Sequence, residues 1–229
     1  MIKQTTLGEN FDELLKALSS PHCALSKLRI GEPRFIAVLR TAHCPCCRAQ
    51  LTTGLGRYSA DNCDWPAGRT VSELLEALAT AAEHKTFAPQ LRTLEIFEMD
   101  TAGGQLPARF FEQCGPSLET LGLGKLGLTG SLPRAVGQLK EVKSIILHAN
   151  ELSGELPAEL GECKKLRMLL LFGNDFSGCL PEELGHCLKL SDLRIKPGNQ
   201  GLISNSLEQL FEPSVNSKGQ ETLARCAPR

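Results

Sequence analysis

The sequence predicts an α/β solenoid: a curved ladder with a parallel sheet on its concave face and short helices and turns on its convex face. Three observations carry the prediction. Leucine-type residues at 118, 121, 123 and 128 recur at 142, 145, 147 and 152, then as Leu166, Leu169, Leu171 and Phe176, and restart at Leu190, Leu193 and Ile195, always with a step of 24. Within each step two apolar residues stand two apart, as in Ser144-Ile145-Ile146-Leu147-His148, which sends Ile145 and Leu147 to one side of a short strand. The second half of each step carries fixed turn residues, Gly130-Ser-Leu132-Pro133, Gly154-Glu-Leu156-Pro157 and Gly178-Cys-Leu180-Pro181, followed by Gly137, Gly161 and Gly185. A unit this small cannot bury its own apolar edge. The units must stack, with neighbouring strands about 4.8 Å apart.

Taken in order, the chain divides into irregular repeats or a cap with helices over 1–90, regular repeats over 91–200, and a cap and tail over 201–229, all one continuous solenoid. Phe11, Leu14, Leu15 and Leu18 have helical spacing, and Leu25-Ser-Lys-Leu28-Arg-Ile30 reads as a strand. A second helix-like run covers 33–51, and 59–69 is a loop by composition. Val71 opens a helix, with Thr70 as its cap and Glu73 at the capping-box offset. Leu91-Arg-Thr-Leu94-Glu-Ile96 starts a longer unit of 27 residues, whose extra length falls in the Thr-Ala-Gly-Gly turn and around Phe110-Phe111. After Leu190 the pattern decays, with Lys196-Pro-Gly-Asn-Gln-Gly in place of the asparagine turn. Residues 202–211 are expected to form a closing helix, and 212–229 a frayed polar tail.

The full phrase, L-x-x-L-x-L-x-x-N-x-L, resembles the leucine-rich repeat family. Stretches such as Leu152-Ser-Gly-Glu-Leu-Pro-Ala-Glu-Leu-Gly look like its plant-type repeats, although the usual Ile before Pro is Leu here. That resemblance implies a second short strand and a tight helical turn on the convex side. It also implies that the Asn150 and Asn174 amides bond neighbouring backbone groups. The helix, Pro21-x-Cys23, strand order of 11–30 is similar to the longer ribonuclease-inhibitor-like repeats.

Twenty-five basic and 26 acidic residues leave a net charge of −1, so bulk charge points to neither nucleic acid nor a membrane surface as partner. With one Trp, one Tyr and nine Phe, stacking platforms for single strands are not expected either. No apolar run approaches the roughly 20 residues of a membrane span, and the start lacks a hydrophobic secretory core. No Asn-x-Ser/Thr acceptor occurs. These features lead to the expectation of an intracellular, cytoplasmic chain whose ten cysteines are reduced thiols.

The open positions of the concave strands are the first candidate site. They comprise Glu95, Phe97, Ser144, Ile146, His148, Met168, Leu170, Phe172, Arg194 and Lys196, with Thr93, Thr120, Gly122, Gly124 and Asp192 in the same rows. Ile146, Met168, Leu170 and Phe172 are expected to form an apolar patch. Glu95, Glu98 and Asp100 lie towards one end and Arg167, Arg194 and Lys196 towards the other, the composition of a protein interface. Cover by the protein's own tail or a neighbouring subunit is the competing use of that patch. His43, Cys44, Cys47 and Cys63 could supply tetrahedral zinc ligands, against plain buried or surface thiols. Cys44-Pro-Cys-Cys-Arg48 resembles the closing pair of a RING finger, without its earlier ligand pairs. Gly122-Leu-Gly124-Lys-Leu-Gly127 fits G-x-G-x-x-G, but a turn of the repeat follows it rather than a helix. Cys163 and Cys187 fall on adjacent rungs, where stacked thiols are favoured over a disulfide. The five His residues are scattered, and no nucleophile–base pair is suggested.

The expected function is therefore a non-enzymatic protein–protein interaction module with no cofactor, holding a protein or peptide on the concave sheet. The alternatives are a fragment of an extracellular plant-type receptor or inhibitor ectodomain, and a zinc-containing adaptor of a ubiquitin ligase.

Overall fold

The computed structural model describes residues 27–30, 36–38, 68–83, 91–97, 103–203, 211–215 and 221–225, and the account below concerns these. Its elements are β1 (Lys27–Ile30), β2 (Ile36–Val38), α1 (Val71–Glu83), β3 (Thr93–Phe97), β4 (Gly104–Gln105), α2 (Ala108–Cys114), β5 (Thr120–Gly124) and β6 (Leu128–Gly130). They continue with β7 (Ser144–Ile146), β8 (Glu151–Glu155), β9 (Met168–Leu170), β10 (Asp175–Cys179), β11 (Asp192–Arg194), β12 (Gly201–Ile203), β13 (Phe211–Val215) and β14 (Glu221–Arg225). Two sheets result. The nine-stranded one runs β13-β14-β11-β9-β7-β5-β3-β1-β2, and the five-stranded one β12-β10-β8-β6-β4. The expected α/β leucine-rich-repeat solenoid is the fold observed.

Register follows the repeat, in steps of 24 from Leu121 onward. Leu28, Leu94, Leu121, Ile145, Leu169 and Leu193 face one another on successive parallel strands, and all have 0 % exposure. Each such side chain contributes about 1.5–3 kcal/mol through burial. Only stacking makes that burial possible, because each rung's apolar edge is closed by the next. The core is continuous from Leu28 to Leu202.

On the convex side the regular rungs use 3-10 turns, Arg134–Gln138, Ala158–Glu162 and Glu182–His186, each entered from an extended proline, Pro133, Pro157 or Pro181. Close approach between rungs needs glycine there: a Cβ on Gly161 would sit 2.3 Å from the Glu183 carbonyl oxygen. The N-terminal rungs carry α1 and α2 instead. The longer repeat makes room for α2, whose Phe110 and Phe111 are fully buried with ring centroids 5.4 Å apart, edge to face. At α1 the Glu73 amide donates to Thr70 Oγ1 at 3.3 Å, half of the expected capping box. The Glu73 carboxylate pairs with Arg69 at 3.2 Å rather than turning back to the cap.

Asparagines tie the rungs at the turn. Asn174 Nδ2 donates to the carbonyls of Leu147 and Leu171, both at 2.9 Å, while its Oδ1 accepts from the Leu152 amide at 3.2 Å. Asn150 does the same one rung earlier, towards Leu123, Leu147, Leu126 and Leu128. Buried backbone groups, four at Asn150 and three at Asn174, thereby gain a partner at the turn. The expected decay after Leu190 is corrected here. Asn199 takes the same role after a step of 25 rather than 24, bonding Leu171, Ile195 and Phe176. One inserted residue displaced the sequence frame without breaking the ladder.

Both ends also differ from the sequence reading. Residues 36–38, inside the expected helix-like run, form a strand antiparallel to β1. Residues 201–203 form β12 rather than the start of a helix, and the expected frayed tail holds β13 and β14, an antiparallel pair joined to β11 through Leu193 and Leu223. The last parallel strand exposes a row of unpaired N–H and C=O groups, and the chain's own hairpin supplies partners for them. The tail extends the sheet sideways.

Cys163 and Cys187 are buried thiols outside any disulfide, each directed at the carbonyl one rung back, Val136 at 3.5 Å and Leu160 at 3.4 Å. Burial pushes the Cys163 thiol up to about 12, so it is a neutral packing group.

Candidate functional site

The concave face is built by the residues that alternate with the buried ones. Ile145, Leu147, Leu169 and Leu171 have 0 % exposure, whereas Ile146, His148, Met168 and Phe172 between them are only half-buried. Glu95, Phe97, Ser144 and Arg194 are half-buried in the same rows, and Lys196 is exposed. The register places Glu95, Gly122, Ile146, Leu170 and Arg194 in one line across the sheet. Leu170 departs from the expected open patch. Although it stands in the open row, it retains only 9 % exposure, flanked in register by Ile146 and Arg194.

Two glycines that the sequence places in the open rows, and that also fit a false nucleotide motif, shape this face. A Cβ on Gly122 would lie 2.6 Å from Phe97 Cζ, and one on Gly124 would lie 2.5 Å from His148 Cε1. The bare backbone of β5 is therefore a floor on which a ring from each side rests. Phe97, His148 and Phe172 form a row, with centroids 6.2 Å and 4.9 Å apart and planes tilted by 36° and 41°. The signal was present as two glycines at alternate open positions, between strands whose open positions carry rings. His148 Nδ1 is buried against this floor and has no hydrogen-bond partner among the described residues.

Charge is arranged along the same rows. Arg194 donates to Asp192 through Nε at 2.9 Å and a terminal nitrogen at 2.8 Å, a fork that matches its charge on its own strand. A pocket of 710 Å³ opens beside it, lined by Phe172, Arg194, Lys196, Pro197, Gln200 and Leu202 among others. Along the entry edge of the strands, Glu119 accepts from Lys143 at 2.5 Å and Arg92 at 2.7 Å. Those hydrogen bonds, Lys143 first, hold its carboxyl below the usual carboxylate range.

Glu98, Asp100 and the possible zinc ligands His43, Cys44, Cys47 and Cys63 lie outside the described residues. Among the described residues no group of three or more His, Cys, Asp or Glu could hold a metal ion. No helix among them is long and apolar enough to cross a membrane.

Residues 165–187 match the family model for the Leucine Rich Repeat. No curated protein matches the sequence. Among solved structures, the plant peptide hormone receptor RGFR1 in complex with RGF2 is similar at 32% identity, covering 52% of this chain and 18% of that one, with a TM-score of 0.48. The BIR3–SERK2 complex from Arabidopsis thaliana is similar at 32% identity over 57% of this chain and 63% of that one, TM-score 0.46. The ectodomain of the receptor kinase SOBIR1 from Arabidopsis thaliana is similar at 25% identity over 54% and 62%, TM-score 0.47. The chain spans less than two thirds of the length of each of these proteins. The expectation of an intracellular, cytoplasmic chain finds no support among them.

Proposed function

We propose that this chain, a leucine-rich-repeat protein of plant type, is a non-enzymatic binding module that holds a protein or peptide on its concave sheet. One observation carries the reading: stacking buries the inward residues of β3, β5, β7, β9 and β11 completely, and leaves Glu95, Phe97, Ile146, Met168 and Arg194 among the alternate ones half-open, with His148 and Phe172 just beyond β7 and β9. Such a row adds nothing to the core it stands on, and an apolar centre with charged ends suits a protein partner. A stiff array also binds at low ordering cost.

Affinity capture with wild-type protein and with Phe172→Glu tests the proposal. The substituted side chain is half-buried, so the variant is expected to keep its far-ultraviolet spectrum and its melting temperature while losing the partner. Equal retention of the partner by both proteins would remove this face from consideration. A second reading, a piece of an extracellular receptor or inhibitor ectodomain, is favoured by the plant-type second strand on each rung, β6, β8 and β10. Transcript sequencing that reveals a signal-encoding upstream exon would support it, and a transcript whose reading frame opens at Met1 would count against it.

A further inference from the structure

The ring row on the concave face has a polarity of its own. His148 lies between Phe97 and Phe172 with Nδ1 pressed against the β5 floor, where an ideal Cβ on Gly124 would be 2.6 Å from that nitrogen. A hydrogen on Nδ1 would be a buried donor with nothing among the described residues to accept it, an unfavourable arrangement. The neutral ring therefore carries its hydrogen on Nε2, the nitrogen away from the floor. Resting on the concave-binding reading, we infer that His148 is a specificity-determining donor: it offers Nε2–H to a carbonyl of an extended partner segment whose aromatic side chain stacks on the Phe97–His148–Phe172 row.

Charge placement sets the rest of that segment. Glu95 stands on β3, two rungs to one side of His148, and Lys196 follows β11, two rungs to the other. Four rung spacings are roughly 19 Å, which about six extended residues cover. The complementary occupant is a protein segment with an aromatic residue at its centre, a basic residue about three positions to one side and an acidic residue about three to the other. Rings of the partner gain from the tilted geometry that the protein's own rings already hold.

Two measurements test this. Long-range nitrogen–proton correlation spectra of the full chain at neutral pH should show His148 as the Nε2–H tautomer, and the Nδ1–H tautomer would overturn the inference. Random displayed peptides should be selected on wild-type protein and counter-selected on Phe172→Glu. Peptides lost on that variant, carrying the basic–aromatic–acidic pattern, and weakened about 3- to 10-fold by His148→Phe, support the inference. That variant keeps an aromatic ring in the row and removes the ring nitrogens, so an unchanged melting temperature separates recognition from folding. Peptides lost on Phe172→Glu but lacking the pattern, or indifferent to His148→Phe, overturn the inference and leave the concave-face reading standing. Peptides that bind both proteins equally, a library yielding none, or self-association of the chain that Phe172→Glu abolishes, overturn both.

Discussion

The two rows of the concave sheet share one backbone and obey opposite rules. Along the inner row, Leu94, Leu121, Ile145, Leu169 and Leu193 are aliphatic and fully buried, and they differ from rung to rung only in branching. Along the outer row the same five strands present Glu95, Gly122, Ile146, Leu170 and Arg194, which share neither size nor charge. The inner row is dictated by the neighbouring rungs, since a missing methyl group there leaves a void between two stacked units. No such demand acts on the outer row. The outer row also shows how a solenoid can cover its own surface. Gly122 and Gly124 are buried although they point to the open side, because rings borrowed from β3 and from the residue just beyond β7 lie over them.

Substitution within one strand breaks the comparison most sharply. Leu169→Ala should lower unfolding stability by about 2–5 kcal/mol in denaturant melts, whereas Met168→Ala beside it should cost less than about 1 kcal/mol. Equal costs would mean that the rows are not distinguished by stacking. Next comes Asn174→Ala, which strands the Leu152 amide and takes one of two asparagine donors from each of the Leu147 and Leu171 carbonyls, since Asn150 and Asn199 still reach them. A loss of about 1–3 kcal/mol is expected, chiefly from the buried amide left without a partner, together with faster amide exchange at Leu152. The smallest effect belongs to the exposed edge. Glu119 has its folded pKa depressed by Lys143 and Arg92, so its contribution is present above the ordinary carboxylate value of about 4.3 and disappears as pH falls through the lower folded value. Glu119→Gln should therefore flatten the decline of melting temperature on acidification below about pH 4, with little change at neutral pH, where an exposed pair is worth about 0–1 kcal/mol.

How much was legible in the sequence follows from how local each feature is. The strands, their inward leucines and the proline-entered turns can be read directly, because each depends on residues a fixed distance apart and on neighbours of like kind, whereas the Asn150 and Asn174 ladder was implied by the resemblance to the leucine-rich repeat family. Asn199 was hidden by a single inserted residue, since a frame counted in steps of 24 does not tolerate 25. The ends were misread for a different reason. Residues 36–38, 211–215 and 221–225 have no strong pattern of their own, and they are strands because β1 and β11 offer unpaired edges nearby.

By itself, then, the sequence determined a ladder of stacked rungs and which side chains of each rung turn inward, because periodic burial is written in the spacing of apolar residues. Only the tertiary structure decided how the outward side chains meet, with Phe97 and His148 resting on a glycine floor, Arg194 held by Asp192, and both sheet ends closed by antiparallel strands. Those contacts join residues on different rungs and depend on the backbone separation and tilt of rungs already assembled. Spacing along the chain carries no record of them.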